Sequence, residues 1–273
     1  MEHKAKKSLG QNFLKSREAI QAICNAGNVK KDDYIVEIGP GKGILTEELL
    51  KREANVLAIE KDDELVEIIN EKFEKEIKNK KLEIIKGDCL DFNHDEYFKN
   101  KKYKIIANIP YNITGAIIKK FLSEVKNKPN LMALLVQKEV AERIIVRDKK
   151  ESILSLSVKA YGEPKYIMKV SKKYFSPAPK VDSAIILINN ISDKNFKNKK
   201  EEELFFKVIK SGFSHKRKIL IKNLSNVFFE NGEEKILEIF DQLKIDNKIR
   251  AEKLNFEKWL VLTKNIDSSI KNK

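Results

Sequence analysis

The run Asn108-Ile109-Pro110-Tyr111 has the residue types to alkylate an exocyclic amine on an aromatic base. Such an amine is a poor nucleophile, because its lone pair is delocalised into the ring. The Asn108 side-chain oxygen and the Ile109 carbonyl can accept its two hydrogens. That turns the lone pair toward an incoming methyl carbon and stabilises positive charge as it develops. Pro110 fixes the direction of the Ile109 carbonyl, and Tyr111 can stack on an extruded base. What remains is positioning for in-line transfer. The run contains no cysteine nucleophile, which argues against methylation at C5 of a pyrimidine. Taken alone, it is equally a strand-to-helix turn with a buried tyrosine.

A donor pocket must lie upstream, and Glu37-Ile38-Gly39-Pro40-Gly41-Lys42-Gly43 has the form of one. Glycines between a strand and a helix let the backbone turn sharply and approach a ligand closely. The spacing is GxGxG, whereas the dinucleotide fingerprint is GxGxxG. Glu60 closes the next apolar run, where it can accept both hydroxyls of a ribose. Asp88 closes the run after that, where it can accept from an adenine amine. A carboxylate such as Glu37 would repel a phosphate but tolerate a sulfonium cation. The set therefore favours S-adenosylmethionine over a nicotinamide dinucleotide.

These residues need a frame that brings strand ends together. Short apolar or β-branched runs occur at Tyr34–Ile38, Asn55–Ile59, Leu82–Ile85, Tyr103–Ala107 and Leu131–Val136, the pattern of strands buried in a parallel sheet. Helical spacings lie between them, such as Leu65, Ile68, Ile69 and Phe73. Strand–helix–strand repetition predicts right-handed crossovers and an open, doubly wound sheet. Tyr166–Val170 and Ala184–Ile188 read as further strands. The segment between them, Phe175-Ser176-Pro177-Ala178-Pro179-Lys180, is too proline-rich for regular structure. A polar Lys/Asn-rich linker follows, and beyond it the spacing is helical only. The predicted fold is α/β, a Rossmann-like methyltransferase sheet over residues 1–195, with a small all-helical domain over 196–273.

The bulk properties agree with such a chain. It has 273 residues, 41% hydrophobic and 35% charged, enough for a large domain and a smaller one. No stretch approaches the roughly 20 apolar residues of a membrane span. The start of the sequence has no apolar run of the secretory type, so a cytoplasmic location is expected. Cys24, Cys89 and the scattered His3, His94 and His215 make no metal set or disulfide framework, and the two thiols read as buried apolar groups. The net charge is +14, a field that attracts polyanions, although a lysine-rich proteome would produce the same balance. Oligomeric state is not encoded legibly, and a monomer is the default expectation.

The chain resembles the ribosomal RNA adenine dimethyltransferases of the KsgA family along essentially its whole length. The likeness rests on five ordered motifs: Gly10-Gln11-Asn12-Phe13-Leu14, Glu37-Ile38-Gly39-Pro40-Gly41, Asn108-Ile109-Pro110-Tyr111-Asn112-Ile113, Val136-Gln137-Lys138-Glu139-Val140-Ala141, and Phe175 through Ser183. It implies dimethylation of two adjacent adenines in a hairpin near the 3′ end of 16S rRNA, with the small ribosomal subunit as partner. Carried across by motif, Asn12, Leu14, Gly39, Gly41, Glu60, Asp88 and Asn108 border S-adenosylmethionine, and Asn108, Ile109, Pro110 and Tyr111 form the catalytic run. Phe175 matches the family's second base-stacking aromatic, opposite Tyr111. From the residues alone, Gln11–Leu14 reads as a helix cap with an apolar staple, and Phe175 as a core residue. Ala178 stands where relatives often carry another proline.

Basic residues supply candidate RNA contacts. Ser214-His215-Lys216-Arg217-Lys218, with Lys210 and Lys222, makes one cluster; Lys4, Lys6 and Lys7 make another. Lys138, Arg143 and Arg147 recur along a predicted helix after the fifth strand. Contacts of this type position a backbone rather than read a sequence, and the bland alternative is a solvated helix face. Two other functions stand beside the resemblance. One is an Erm-type enzyme acting on 23S rRNA, which shares the cofactor and Asn-Ile-Pro-Tyr motifs. The other is a non-catalytic RNA-binding assembly factor.

Overall fold

Every apolar run in the first part of the chain becomes a strand. The computed structural model describes residues 4–6, 9–99, 101–229 and 232–271. The strands are β1 (Phe13–Leu14), β2 (Tyr34–Ile38), β3 (Asn55–Glu60), β4 (Leu82–Lys86), β5 (Lys104–Asn108), β6 (Met132–Gln137), β7 (Glu163–Val170), β8 (Phe175–Ser176) and β9 (Ser183–Asn189). Seven of them form one sheet in the order β4-β3-β2-β5-β6-β9-β7. The first five are mutually parallel, and β9 pairs antiparallel with both β6 and β7. Parallel strands covered on both faces are near-continuous apolar runs, and Ile35 and Val36 in β2 and Ile105, Ile106 and Ala107 in β5 are all buried. The edge strand β7 carries Pro164, Lys165 and Lys169, residues that discourage pairing with another chain.

The strand order reverses beside β2. From there the chain builds outward through β3 and β4 on one side, then returns to add β5 and β6 on the other. Crossover connections diverge at such a point and leave a crevice at the carboxyl ends of the two central strands. The Gly39–Gly43 loop leaves β2 there, and Asn108 ends β5 there.

Helices cover the faces. In Arg17–Ala26, Ser16 caps the first turn by accepting from Ala19 N at 3.2 Å, and Ile20, Ile23 and Cys24 turn inward at helical spacing. Burial pushes the thiols of Cys24 and Cys89 up to about 12, so both behave as apolar groups.

The chain divides into two compact units: residues 1–142 with 162–192, and residues 143–161 with 193–273. A single crossing at 195/196 therefore does not describe it, because the helix Ile153–Tyr161 belongs with the later helices. Tyr161 explains why. Its ring stacks on Phe206 at 6.1 Å and meets Phe196 edge-on at 5.9 Å, and its hydroxyl donates to Glu202 at 2.7 Å. The rest of the second unit is helical, with Lys199–Gly212, Leu220–Phe228, Gly232–Gln242 and Phe256–Lys271 around Phe205, Phe240 and Trp259. No described helix is long and apolar enough to cross a membrane.

Candidate active site

A cavity of about 410 Å³ fills the crevice at the switch point, within the roughly 300–1,000 Å³ usual for a small-molecule site. Its floor is the turn after β2. Gly39 and Gly41 hold φ of +65° and +60°, a region hostile to side chains, and a Cβ on Gly41 would lie 2.9 Å from the Phe13 ring. Glu60, at the end of β3, fixes that turn. Its Oε2 accepts from Gly41 N at 3.2 Å, while Oε1 accepts from Lys61 N at 2.8 Å and Asp62 N at 3.0 Å. Burial raises the Glu60 pKa, and these three amides work against that rise.

Two more carboxyl groups line the wall. Glu37 is buried and accepts from Thr46 Oγ1 at 2.7 Å, and burial pushes its pKa up to about 8. Asp88 accepts from Leu90 N at 2.9 Å and pairs with Lys61 Nζ at 2.9 Å, and its pKa is lowered, first by the Leu90 amide. A wall bearing Glu37, Glu60 and Asp88 suits a ligand that brings positive charge and hydroxyl or amine donors; a pyrophosphate would be repelled.

A strap formed by residues 9–15 lines another part of the cavity. Leu14 pairs with Phe175 and Phe13 with Ser176 in the β1–β8 ribbon. At its other end, Gln11 Nε2 donates to Asp62 Oδ2 at 2.7 Å, and Lys6 Nζ donates to Asp62 Oδ1 at 2.6 Å. On the far side stands the end of β5. Asn108 Nδ2 donates to the Asn12 carbonyl at 3.3 Å. A carbonyl only accepts, so this contact assigns the amide nitrogen and leaves Asn108 Oδ1 as an acceptor. Pro110 and Tyr111 follow, and the Tyr111 hydroxyl shares a 2.6 Å hydrogen bond with Ser183 Oγ. The run Asn108–Tyr111 at the sheet's carboxyl edge thus lines a pocket suited to a cationic, hydroxyl-bearing ligand.

A family model described as ribosomal RNA adenine dimethylase matches residues 2–268. This chain belongs to that family. Ribosomal RNA small subunit methyltransferase A of Fusobacterium nucleatum is 39% identical over 266 residues, 97% of this chain and 98% of the relative. The crystal structure of a dimethyladenosine transferase from Plasmodium falciparum is similar at a TM-score of 0.80 and 25% identity, covering 94% of this chain and 98% of the other. The 23S rRNA methyltransferase ErmE shares the fold, with a TM-score of 0.76 at 24% identity over 94% of this chain and all of the other.

Within this adenine dimethylase fold, the cavity gathers Asn12, Leu14, Gly39, Gly41, Glu60, Asp88, Asn108, Ile109, Pro110 and Tyr111. Phe175 is the exception. It is buried in the core with Leu14 and Val170 and is absent from the cavity wall, so its ring offers no open face to a base in this conformation. Strand alternation accounts for this: in β8 the residue on the cavity wall is Ser176.

The expected RNA-binding residues separate into groups. Lys4, Lys210, His215, Lys216, Arg217 and Lys218 are exposed. The loop holding the last four is anchored by Asn223 Nδ2, which donates to the Gly212 and His215 carbonyls at 2.6 and 3.1 Å. Lys6 and Lys222 are instead engaged by carboxylates: Lys6 by Asp62 and Glu64, Lys222 by Glu233. Lys7 lies outside the described residues. Lys138 and Arg143 sit on the helix Lys138–Ile144, with Lys138 Nζ 3.7 Å from Glu142. Arg147 is exposed but lies past that helix, in a turn where Val146 has φ of +59°. The sequence reading missed the partners that orient the site, namely Thr46 for Glu37, Lys61 for Asp88 and Asp62 for the strap. Each lies across a turn or a strand from its partner, and no motif spacing marks it.

Proposed function

We propose that this chain transfers methyl groups from S-adenosylmethionine to the N6 amines of two adjacent adenines in a hairpin near the 3′ end of 16S rRNA. It does so on the small ribosomal subunit during assembly, in the cytoplasm and as a monomer. The observation that carries the chemistry is the orientation of Asn108, whose nitrogen is committed to Asn12 O and whose oxygen is left to accept. The named small-subunit relative, matched nearly end to end, supports the choice of RNA.

The cavity residues fit the donor. Glu60 accepts from its ribose hydroxyls and Asp88 from its adenine amine, Glu37 gives up its proton beside the donor's positive charge, and the strap over Asn12 and Leu14 excludes water. The bound donor supplies an electrophilic methyl group on sulfur. Asn108 Oδ1 and the Ile109 carbonyl grip the target amine and stabilise the positive charge that develops on its nitrogen. Tyr111 is held by Ser183 and stacks on the base. The exposed cations of residues 214–218, with Lys4, Lys138, Lys210, Arg143 and Arg147, engage RNA phosphates.

A labelled-methyl assay tests this reading. Label should pass to small-subunit particles. Transfer only to large-subunit RNA would support the Erm-type alternative, and no transfer to either would support a binding factor.

A further inference from the structure

Beyond Tyr111, the chain reaches back to the Asp88 loop through Lys120. This residue opens a π-helical turn, Lys120–Glu124, directly after the helix Thr114–Lys119. Such turns re-aim a side chain and recur at functional sites. The half-buried Lys120 ammonium donates to the Leu90 carbonyl and, at 3.0 Å, to the Phe92 carbonyl. Asp88 grips the same loop from inside. Its Oδ1 accepts from Leu90 N at 2.9 Å, and its backbone carbonyl accepts from Asp91 N and Phe92 N at 3.0 and 3.2 Å. Leu90 is therefore held at its N–H by Asp88 and at its C=O by Lys120. The neighbouring Phe121 ring meets His94 edge-on at 4.5 Å, and His94 meets Phe92 at 4.6 Å. The positive charge of Lys120 also favours the ionised form of Asp88.

We propose that Lys120 is a positioning residue for the methyl donor. It holds the Asp88 loop where Asp88 can accept from the donor's adenine amine, and it ties that pocket to the segment bearing Tyr111. The inference rests on the donor reading above. Two hydrogen bonds from a charged donor to two carbonyls of one short loop are strong enough to set its conformation. A residue that only stabilised the fold would affect every ligand of the cavity alike. A residue that sets Asp88 affects recognition of the amine, because a site built to meet a hydrogen-bonding group rejects the analogue lacking it.

Calorimetry with S-adenosylhomocysteine and S-inosylhomocysteine separates these cases, since the second ligand replaces the amine with a carbonyl. In Lys120→Met, affinity for the adenosyl ligand should fall about tenfold while affinity for the inosyl ligand changes by less than about twofold. Lys120→Arg should recover adenosyl affinity to within about threefold of wild type. Thermal unfolding is recorded in parallel. If the Met variant does not fold, Lys120→Gln is read the same way. An unchanged adenosyl affinity, or an equal loss for both ligands, would overturn the proposal while leaving the donor reading intact. A wild-type chain that bound neither ligand would overturn both.

Discussion

Replacing Asn108 with alanine separates chemistry from donor binding. Asn108 Nδ2 reaches the Asn12 carbonyl at 3.3 Å, so the side chain also helps hold the strap. Losing that hydrogen bond costs about 0.5–1.5 kcal/mol, at most about tenfold in donor affinity. Losing Oδ1 removes an acceptor aimed at the developing charge, worth about 10²–10³ in rate. The side chain is only half-buried, so no large cavity term is added. Single-turnover transfer of labelled methyl at saturating donor reads the second effect, and calorimetry reads the first. Asn108→Asp keeps an acceptor oxygen but has no N–H for Asn12 O, so it should retain more of the rate than Asn108→Ala, which is the deciding variant. A single-turnover rate within about threefold of wild type, or a defect that more donor fully repairs, would refute the role given to Oδ1.

Other expectations follow from the same geometry. Glu60→Ala should weaken donor binding by about 1–3 kcal/mol, through lost hydrogen bonds and a loosened Gly41 turn; an unchanged dissociation constant removes Glu60 from the site. Glu37 is protonated in the folded chain up to about 8 but ionises when unfolded near 4.5, so its contribution to stability falls as pH rises through that window. Glu37→Gln should flatten this fall in denaturant titrations and also weaken donor binding; a variant with the wild-type pH profile would contradict the assignment. Burial lowers His94 to about 4 from 6.5. The unfolded chain therefore binds the extra proton, and stability is lost as pH falls from 6.5 toward 4, by about 3 kcal/mol at most. His94→Phe should remove that dependence in thermal unfolding. Converting Lys216, Arg217 and Lys218 together to alanine should weaken RNA binding and lower the salt slope by about two units if all three meet phosphates, whereas an unchanged slope would mark them as solvated.

The large sheet was legible because a strand buried on both faces has little choice of residue. β2, β3, β5 and β6 are near-continuous apolar runs, and the first three bring Gly39, Glu60 and Asn108 to the cavity at or just beyond their ends. The β1–β8 ribbon was not legible. Each of its strands is two residues long, and the pairing of Leu14 with Phe175 is set by where the two segments meet, not by any pattern within them. That pairing also decides the position of Phe175, which the motif alone assigned to the base. The helix Ile153–Tyr161 looks like any other amphipathic segment. Contacts with residues distant in sequence, such as those of Tyr161 with Phe196 and Phe206, give it to the second unit. Arg147 was misplaced on a helix because the turn at Val146 has no glycine or proline to announce it.

Mass mapping of rRNA from cells with and without this gene tests the central claim most directly. Two adjacent N6,N6-dimethyladenosines near the 3′ end of 16S rRNA should be present with the gene, absent without it, and not restored by the Asn108→Ala chain. Their persistence in cells lacking the gene, or the loss of a 23S rRNA adenine methylation instead, would contradict the account.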